Sequence, residues 1–276
     1  MPYDPLEIMC DIAHSLNLKI EAWINPYRVS ADKDISKLSD SNIAKKWYSS
    51  RKTKSRVYIS DGGIYFNPAS DEVTELIVNG VKEVVENYSV SAIHFDDYFY
   101  PTTDKDIDEA EYKKHGDGKS LSDFRRNAVS NMIKSVYKVI KDTNSMVKFG
   151  ISPASDIKRD RDELYADVEK WAGESGYCDY VCPQVYFGFK NVYQPFMFTV
   201  KKWIGITAKD LYIGLPLYKA GKVDKYAAEN DKSIMNEFKN NDNIISRQIT
   251  YLSKIEEVKG FYIFSYSSLS DEKCKS

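Results

Sequence analysis

The chain has 276 residues, 42% of them hydrophobic, enough for one large domain or two small ones around a sizeable core. A net charge of −2 and a pI of about 6 argue against a nucleic-acid or anionic-membrane partner. The four cysteines (Cys10, Cys178, Cys182, Cys274) make no CxxC pair and the three histidines no HExxH-like pattern, so free thiols, no metal site and no cofactor are expected. No signal peptide opens the chain and no apolar run approaches the ~18 residues of a membrane span, so a soluble, unexported polypeptide is the expectation from these features alone.

Residues 4 to 17 read as a helix, with Asp4 as N-cap, Pro5 in the first helical position, and Leu6, Met9, Ile12, Ala13 and Leu16 as a buried stripe. Leu18 to Pro26 reads as a strand closed by proline. Residues 30 to 60 are polar and lack a clean period, as in a long functional loop carrying Trp47 and Tyr48. An Asp61-Gly62-Gly63 turn leads to Ile64-Tyr65-Phe66-Asn67-Pro68, and Asp71 to Asn87 is amphipathic, with Val73, Ile77, Val81, Val84 and Val85 on one face. Then comes Ser91 to Pro101, in which the apolar run of a buried strand ends in two adjacent carboxylates, Asp96 and Asp97, followed by three aromatics. Residues 102 to 119 are a charged loop and Ser120 to Asp142 a long helix.

The alternation continues. Strands are expected at Val147–Pro153, Tyr180–Phe187, Leu211–Tyr218 and Phe261–Tyr266, and helices at Glu163–Ala172, Pro195–Trp203 and over much of 224 to 257. Helix and strand alternating in this way imply a parallel sheet with helices outside it, here with six core strands in one domain spanning 1–276. No Gly-rich phosphate-binding turn follows any strand, so nucleotide binding has no support.

Strand parity selects the residues that face inward. If Leu18, Ile20, Ala22 and Ile24 face helices, Glu21, Trp23 and Asn25 face the interior; the same reasoning turns His94, Asp96, Gly150, Ser152, Cys182, Gln184 and Tyr186 inward. A structural barrel core prefers Val, Ile and Leu there, and an unpartnered buried polar group costs about 1–3 kcal/mol. Polar groups converging at the carboxyl ends of the strands therefore mark a site. The last strand is too aromatic for parity to assign. Twenty-one Tyr, 12 Phe and 4 Trp suit a groove that stacks rings on sugars, although compositional drift alone produces the same excess.

Ala22 to Arg28, Tyr65 to Pro68, Ile93 to Pro101, Phe149 to Pro153, Asp179 to Tyr186 and Leu211 to Gly214 resemble, in order and spacing, the glycosyl-hydrolase-like ten family of bacterial (β/α)8-barrel glycosidases, whose members are often exported or lipoproteins. The resemblance implies a TIM-barrel fold and hydrolysis of a cell-wall polysaccharide, peptidoglycan glycan strands first. It also implies an extracytoplasmic or cell-envelope setting. Against the family's pattern the chain begins at the helix after the second strand, so about six of eight strands are expected, with two βα units absent. An open barrel would expose apolar strand edge and oligomerise or aggregate through it. Glu21 stands where the family has His.

Glycosidases use two carboxyls, one to protonate the leaving oxygen and one to attack or to activate water. Asp96, inward at its strand end, is the expected nucleophile or base; Asp97, of opposite parity, is expected to orient the loop, an Arg or a substrate hydroxyl. Candidates for the acid are Asp156, Glu21 and Asp61, with an N-cap role for Asp156 and a pairing with His94 for Glu21 as the structural alternatives. Asn25, Tyr27, Arg28, Asn67, His94, Tyr98, Tyr100, Gln184 and Tyr186 form the expected substrate-binding set, Arg28 suiting the carboxylate of a lactyl ether and Tyr98, Tyr100 and Trp47 suiting sugar stacking. The competing functional reading is a non-catalytic saccharide-binding module or an inactive remnant of such a barrel. A deacetylase-like metal enzyme is a third reading, and three scattered histidines argue against it.

Overall fold

The structure is a computed structural model and describes residues 3–270. In chain order the strands are β1 (Glu21–Ile24), β2 (Arg28–Ser30), β3 (Val57–Ser60), β4 (Gly63–Phe66), β5 (Ala92–Phe95), β6 (Lys148–Ile151), β7 (Tyr180–Val181), β8 (Asp210–Leu215) and β9 (Val258–Ile263). The main helices are α1 (Pro5–Ser15), α2 (Ile43–Tyr48), α3 (Asp71–Asn87), α4 (Glu109–His115), α5 (Leu121–Thr143), α6 (Ile157–Asp162), α7 (Val168–Gly173) and α8 (Phe196–Ile206). Three shorter helices, α9 (Lys232–Met235), α10 (Glu237–Asn240) and α11 (Ile244–Leu252), take the place of the long helical stretch expected over 224 to 257.

Six strands form one parallel sheet in the order β1-β5-β6-β7-β8-β9. The outward parity read from the sequence holds in its centre. Ile93, Phe95, Phe149, Ile151, Val181, Leu211, Ile213 and Leu215 are buried against Val73, Ile77 and Val81 of α3, Val129, Ile133 and Val136 of α5, and Trp171 and Trp203. Burying side chains of this size stabilises by about 1.5–3 kcal/mol each. The sheet curls as a half-barrel. Its two end strands do not pair with each other, yet their side chains meet: the Tyr262 hydroxyl on β9 donates to both carboxylate oxygens of Glu21 on β1, at 2.9 and 2.8 Å.

Three expectations need correction. Residues 30 to 60 are not a structureless excursion, because β2, β4 and β3 pair antiparallel in that order and α2 packs Ala44 on Val57 and Ile64. The expected helix over 163 to 172 forms only from Val168, as α7; α6 ends at Asp162 and Tyr165, between the two, takes a positive φ of 50°. Helix α1 forms with the expected cap, Asp4 Oδ1 accepting from the Leu6 and Glu7 amides, but its stripe is not buried. Met9, Ile12 and Leu16 are 57, 55 and 62% exposed, as is Leu18 before β1. Periodicity identifies the apolar face of a helix; it does not supply the element that covers it. Cys10, Cys178 and Cys182 are free and buried, whereas Cys274 lies outside the described residues. Among the described residues no helix is long and apolar enough to cross a membrane.

The loop from β5 to α5 is anchored by a fully buried ion pair. Arg125 donates from Nε and Nη2 to the two oxygens of Asp108, both at 2.7 Å, and also to the Thr103 and Asp104 carbonyls and the Tyr165 hydroxyl. Removing one member of a buried pair strands the other charge. Arg125→Ala should therefore destabilise the protein by about 3–5 kcal/mol, lowering the melting temperature by about 10 °C. Joint replacement by Met at 125 and Leu at 108 should restore part of that loss, as read by thermal denaturation.

Candidate active site

A cavity of about 690 Å³ opens at the carboxyl ends of the strands. Glu21, Trp23, His94, Asp96, Asp97, Ser152, Cys182, Gln184, Tyr186 and Tyr262 line it, with Arg28 from the start of β2, Tyr98 from the loop after β5, and Tyr218 and Phe264–Tyr266 closing the far wall. A polar pocket at this end of a parallel sheet is where such folds keep their chemistry.

Asp96 follows the last residue of β5 and is only 4% exposed. Its Oδ1 accepts from the Tyr98 amide at 3.1 Å, and its Oδ2 accepts from the Trp23 indole N–H at 3.1 Å and from Asn25 Nδ2 at 3.4 Å. Burial pushes its pKa up to about 6; the neighbouring Asp97 adds to that rise, while the Tyr98 amide, the Trp23 indole and Arg28 oppose it. Asp97 is half-buried and also lines the cavity, its Oδ1 accepting from Gln184 Nε2 at 2.9 Å. The sideways orientation expected of Asp97 thus does not keep it from the site, because strand parity ends with β5 at Phe95. Gln184 is held by a second bond to the Ser152 carbonyl at 3.1 Å.

The cavity floor is a network built on Glu21. Tyr180 donates to Glu21 Oε2 at 2.7 Å, Tyr262 donates to the same carboxylate, and His94 Nδ1 lies 3.0 Å from the Tyr180 oxygen. The Tyr180 ring reaches this position across Gly150, where a Cβ would come within 1.8 Å of it. Burial holds the His94 pKa below its ordinary value, with Glu21 opposing, so the ring is neutral near pH 7. The structural alternative for Glu21, a pairing with His94, is therefore partly realised: the two share Tyr180 and sit 3.9 Å apart.

Of the residues expected at the site, Glu21, Arg28, His94, Asp96, Asp97, Tyr98, Gln184 and Tyr186 line the cavity. Asn25 stands behind Asp96, with its Oδ1 accepting from the Arg28 amide. The others are not brought there. Tyr27 is fully buried in the main core. Tyr100 is buried, with its hydroxyl donating to Asp108 at 2.9 Å. Asn67 is buried in a turn, bonded to the Ser55 carbonyl and the Ala69 amide. Asp156 caps α6 through the Lys158 and Arg159 amides, and Asp61 is an exposed partner of Lys33. Trp47 packs edge-on against Phe66. Strand parity, which turns Tyr218 of the Leu211–Tyr218 strand inward, agrees with its place on the cavity wall; sequence reasoning missed Tyr262 and Phe264. A hint lay in the aromatic run Phe261-Tyr262-Ile263-Phe264, whose inward member parity alone does not single out.

Comparison with known proteins fits this geometry. The family model described as glycosyl hydrolase-like 10 matches residues 1–232. The chain belongs to that family. It is 33% identical to the glycosyl hydrolase YngK of Bacillus subtilis over 97% of this chain and 54% of that protein, and 34% identical to the glycosyl hydrolase DigH of Escherichia coli K12 over 81% and 56%. The chain thus spans about half the length of the curated relatives it matches. Among solved structures, the glycoside hydrolase domain of PgaB (BpsB) from Bordetella bronchiseptica shares the fold with a TM-score of 0.61 at 10% identity, covering 99% of this chain and 78% of that one. SleL, the spore cortex-lytic enzyme of Bacillus megaterium, aligns at 0.51 and 11% identity over 95% and 59%.

A raised carboxyl pKa has a defined effect on stability. The stability associated with Asp96 is full below its ordinary value of 3.8 and is lost as pH rises through about 6. Trp23→Phe removes a donor that favours the ionised form, so the Asp96 carboxyl carbon, followed by 13C NMR, should titrate near 6 in the wild type and higher in the variant.

Proposed function

We propose that this glycosyl hydrolase-like 10 chain is a glycoside hydrolase that cleaves a bacterial cell-wall polysaccharide, with peptidoglycan glycan strands as the substrate. The six parallel strands are read as six of the eight of a (β/α)8 barrel. The observation that carries the enzymatic reading is Asp96: a buried carboxyl, held by three donors, opening into a cavity walled by aromatic rings. A buried carboxyl that opens into a cleft with its pKa raised toward neutrality by burial and a neighbouring charge is a candidate for chemistry. The cell-wall substrate follows from the family resemblance.

Asp96 works in its ionised form, as nucleophile or base, because both of its oxygens accept hydrogen bonds. Of the other carboxyls lining the cavity, Glu21 is already engaged by two tyrosines at the floor. That leaves Asp97, with Oδ1 on Gln184, as the second carboxyl facing the sugar, placed to orient a substrate hydroxyl. Arg28, its guanidinium 4.2 Å from the centre of the Tyr98 ring, presents N–H donors at the rim that suit the lactyl carboxylate of a muramic acid unit. Trp23, Tyr98 and Phe264 offer ring faces to the sugar.

Asp96→Asn should reduce the release of reducing ends from purified glycan strands by about 10²–10⁴-fold while leaving the melting temperature within a few degrees. In the wild type, kcat/KM should fall below about pH 6 as Asp96 takes up its proton. Unchanged turnover in the Asn variant would remove the assignment, and a wild-type protein that retains the glycan without releasing reducing ends would point to a binding module.

A further inference from the structure

The two ends of the cavity offer a ligand opposite hydrogen-bonding partners. At the floor the hydroxyl protons are already committed to the protein. Tyr180 and Tyr262 donate to Glu21, and the Ser152 hydroxyl donates to the Cys182 carbonyl at 2.8 Å. A tyrosine hydroxyl has one proton, so with Tyr180 donating to Glu21, the 3.0 Å contact to His94 must be donated by Nδ1–H. Neutral His94 then carries its remaining lone pair on Nε2, which has no hydrogen-bond partner among the described residues. Glu21, His94 and Ser152 all line the cavity, and the Glu21 side chain keeps 30% of its surface accessible. Oxygen and nitrogen atoms there face the ligand with lone pairs and an anionic charge. At the rim Arg28, a pure donor, is the only cation among the described residues that lines the cavity.

Resting on the reading of this cavity as a saccharide site, we propose that Glu21, His94 Nε2 and Ser152 Oγ form a floor subsite that selects a hydrogen-bond-donating sugar substituent, a hydroxymethyl or a free amino group, and rejects a carboxylate. A uronate pointed at this floor would meet the Glu21 charge and two lone-pair acceptors. The same asymmetry orients a sugar that carries both kinds of group, with its acidic arm at Arg28 and its donor arm down.

The test uses the full chain with three β-1,4-linked tetrasaccharides of glucose, glucosamine and glucuronic acid, titrated by calorimetry and protein NMR. The glucose or glucosamine tetramer should bind at least tenfold more tightly than the glucuronate. A further tenfold preference for glucosamine identifies the ammonium as the floor group, and equal affinities identify the hydroxymethyl. Glu21→Gln places an amide donor at the floor without changing its size, and should narrow the margin over glucuronate at least tenfold, its fold being checked by melting temperature. If that variant fails to fold, the wild-type ranking decides alone. Equal binding of all three, absence of binding by any of them, or an unchanged margin in a folded Gln variant would overturn the proposal. Failure of the hydrolase reading is separable: Asp96→Asn would then leave turnover unaltered while the binding order stood.

Discussion

The contact between Glu21 and Tyr262 joins the two ends of the sheet. Strands β1 and β9 lie at opposite ends of the order and do not pair, so no backbone ladder holds them together. What spans the gap is a carboxylate accepting from Tyr262 at 2.8–2.9 Å and from Tyr180 at 2.7 Å, with Trp23 on β1 packed edge-on against Phe264 just past β9 at 5.7 Å. Hydrogen bonds to a charged group contribute about 1.5–3 kcal/mol each, which is comparable to the burial of one large side chain in the core. The floor of the cavity and the closure of the half-barrel are therefore the same set of atoms. A substitution at Glu21 acts on both shape and recognition, which is why an isosteric change is needed to separate them.

Asp96 sits at a balance between opposing forces. Burial favours its protonated form; the Trp23 indole, Asn25 amide and Tyr98 backbone N–H favour the carboxylate. Burial outweighs them far enough to bring the pKa to about 6, but not so far that the group stays neutral at pH 7. Trp23 takes part on both sides of this arrangement. Its N–H stabilises the charge, and its ring, 59% exposed, forms wall surface beside that charge. A sugar stacked on the indole would exclude water from Asp96 and raise its pKa further, so occupancy of the wall and protonation of the carboxyl are linked.

Much of this was legible in the sequence because a buried parallel strand has a strict two-residue period. Ile93 and Phe95 facing the helices required His94 to face the interior, and the structure places them so. The period stops at the strand end, and so did its reliability: Asp97, assigned sideways, lines the cavity beside Asp96. Tyr27 and Tyr100 fall in the same short motifs as cavity residues but are buried away from the cavity, and Asn67 belongs to a motif, Tyr65 to Pro68, that contributes no residue to it. Adjacency in a motif reports one stretch of backbone, and that stretch includes residues that hold the loop as well as residues that face the ligand. The aromatic β9 had no polar alternation to read, so Tyr262 and Phe264 emerged only in three dimensions. The stripe of α1 shows the converse limit: Leu6 packs on the core, but Met9, Ile12 and Leu16, correctly periodic, stay exposed.

The segment from Asp96 to Arg125 shows why chemistry and scaffold are interleaved there. Four residues after Asp96, the Tyr100 hydroxyl donates to Asp108, and Asp108 is gripped by Arg125 from α5. Phe99 packs edge-on against Trp171, and Tyr98 is the one ring of Tyr98, Phe99 and Tyr100 that turns outward, under Arg28. Fixing Phe99 and Tyr100 in the core restricts where the Tyr98 amide can point, and that amide is a donor to Asp96. The buried Arg125–Asp108 pair thus reaches the carboxylate through four residues of stiff, aromatic chain. Weakening the pair would be felt at Asp96 as a longer Tyr98 N–H contact, and so as a higher pKa, before the fold itself gave way.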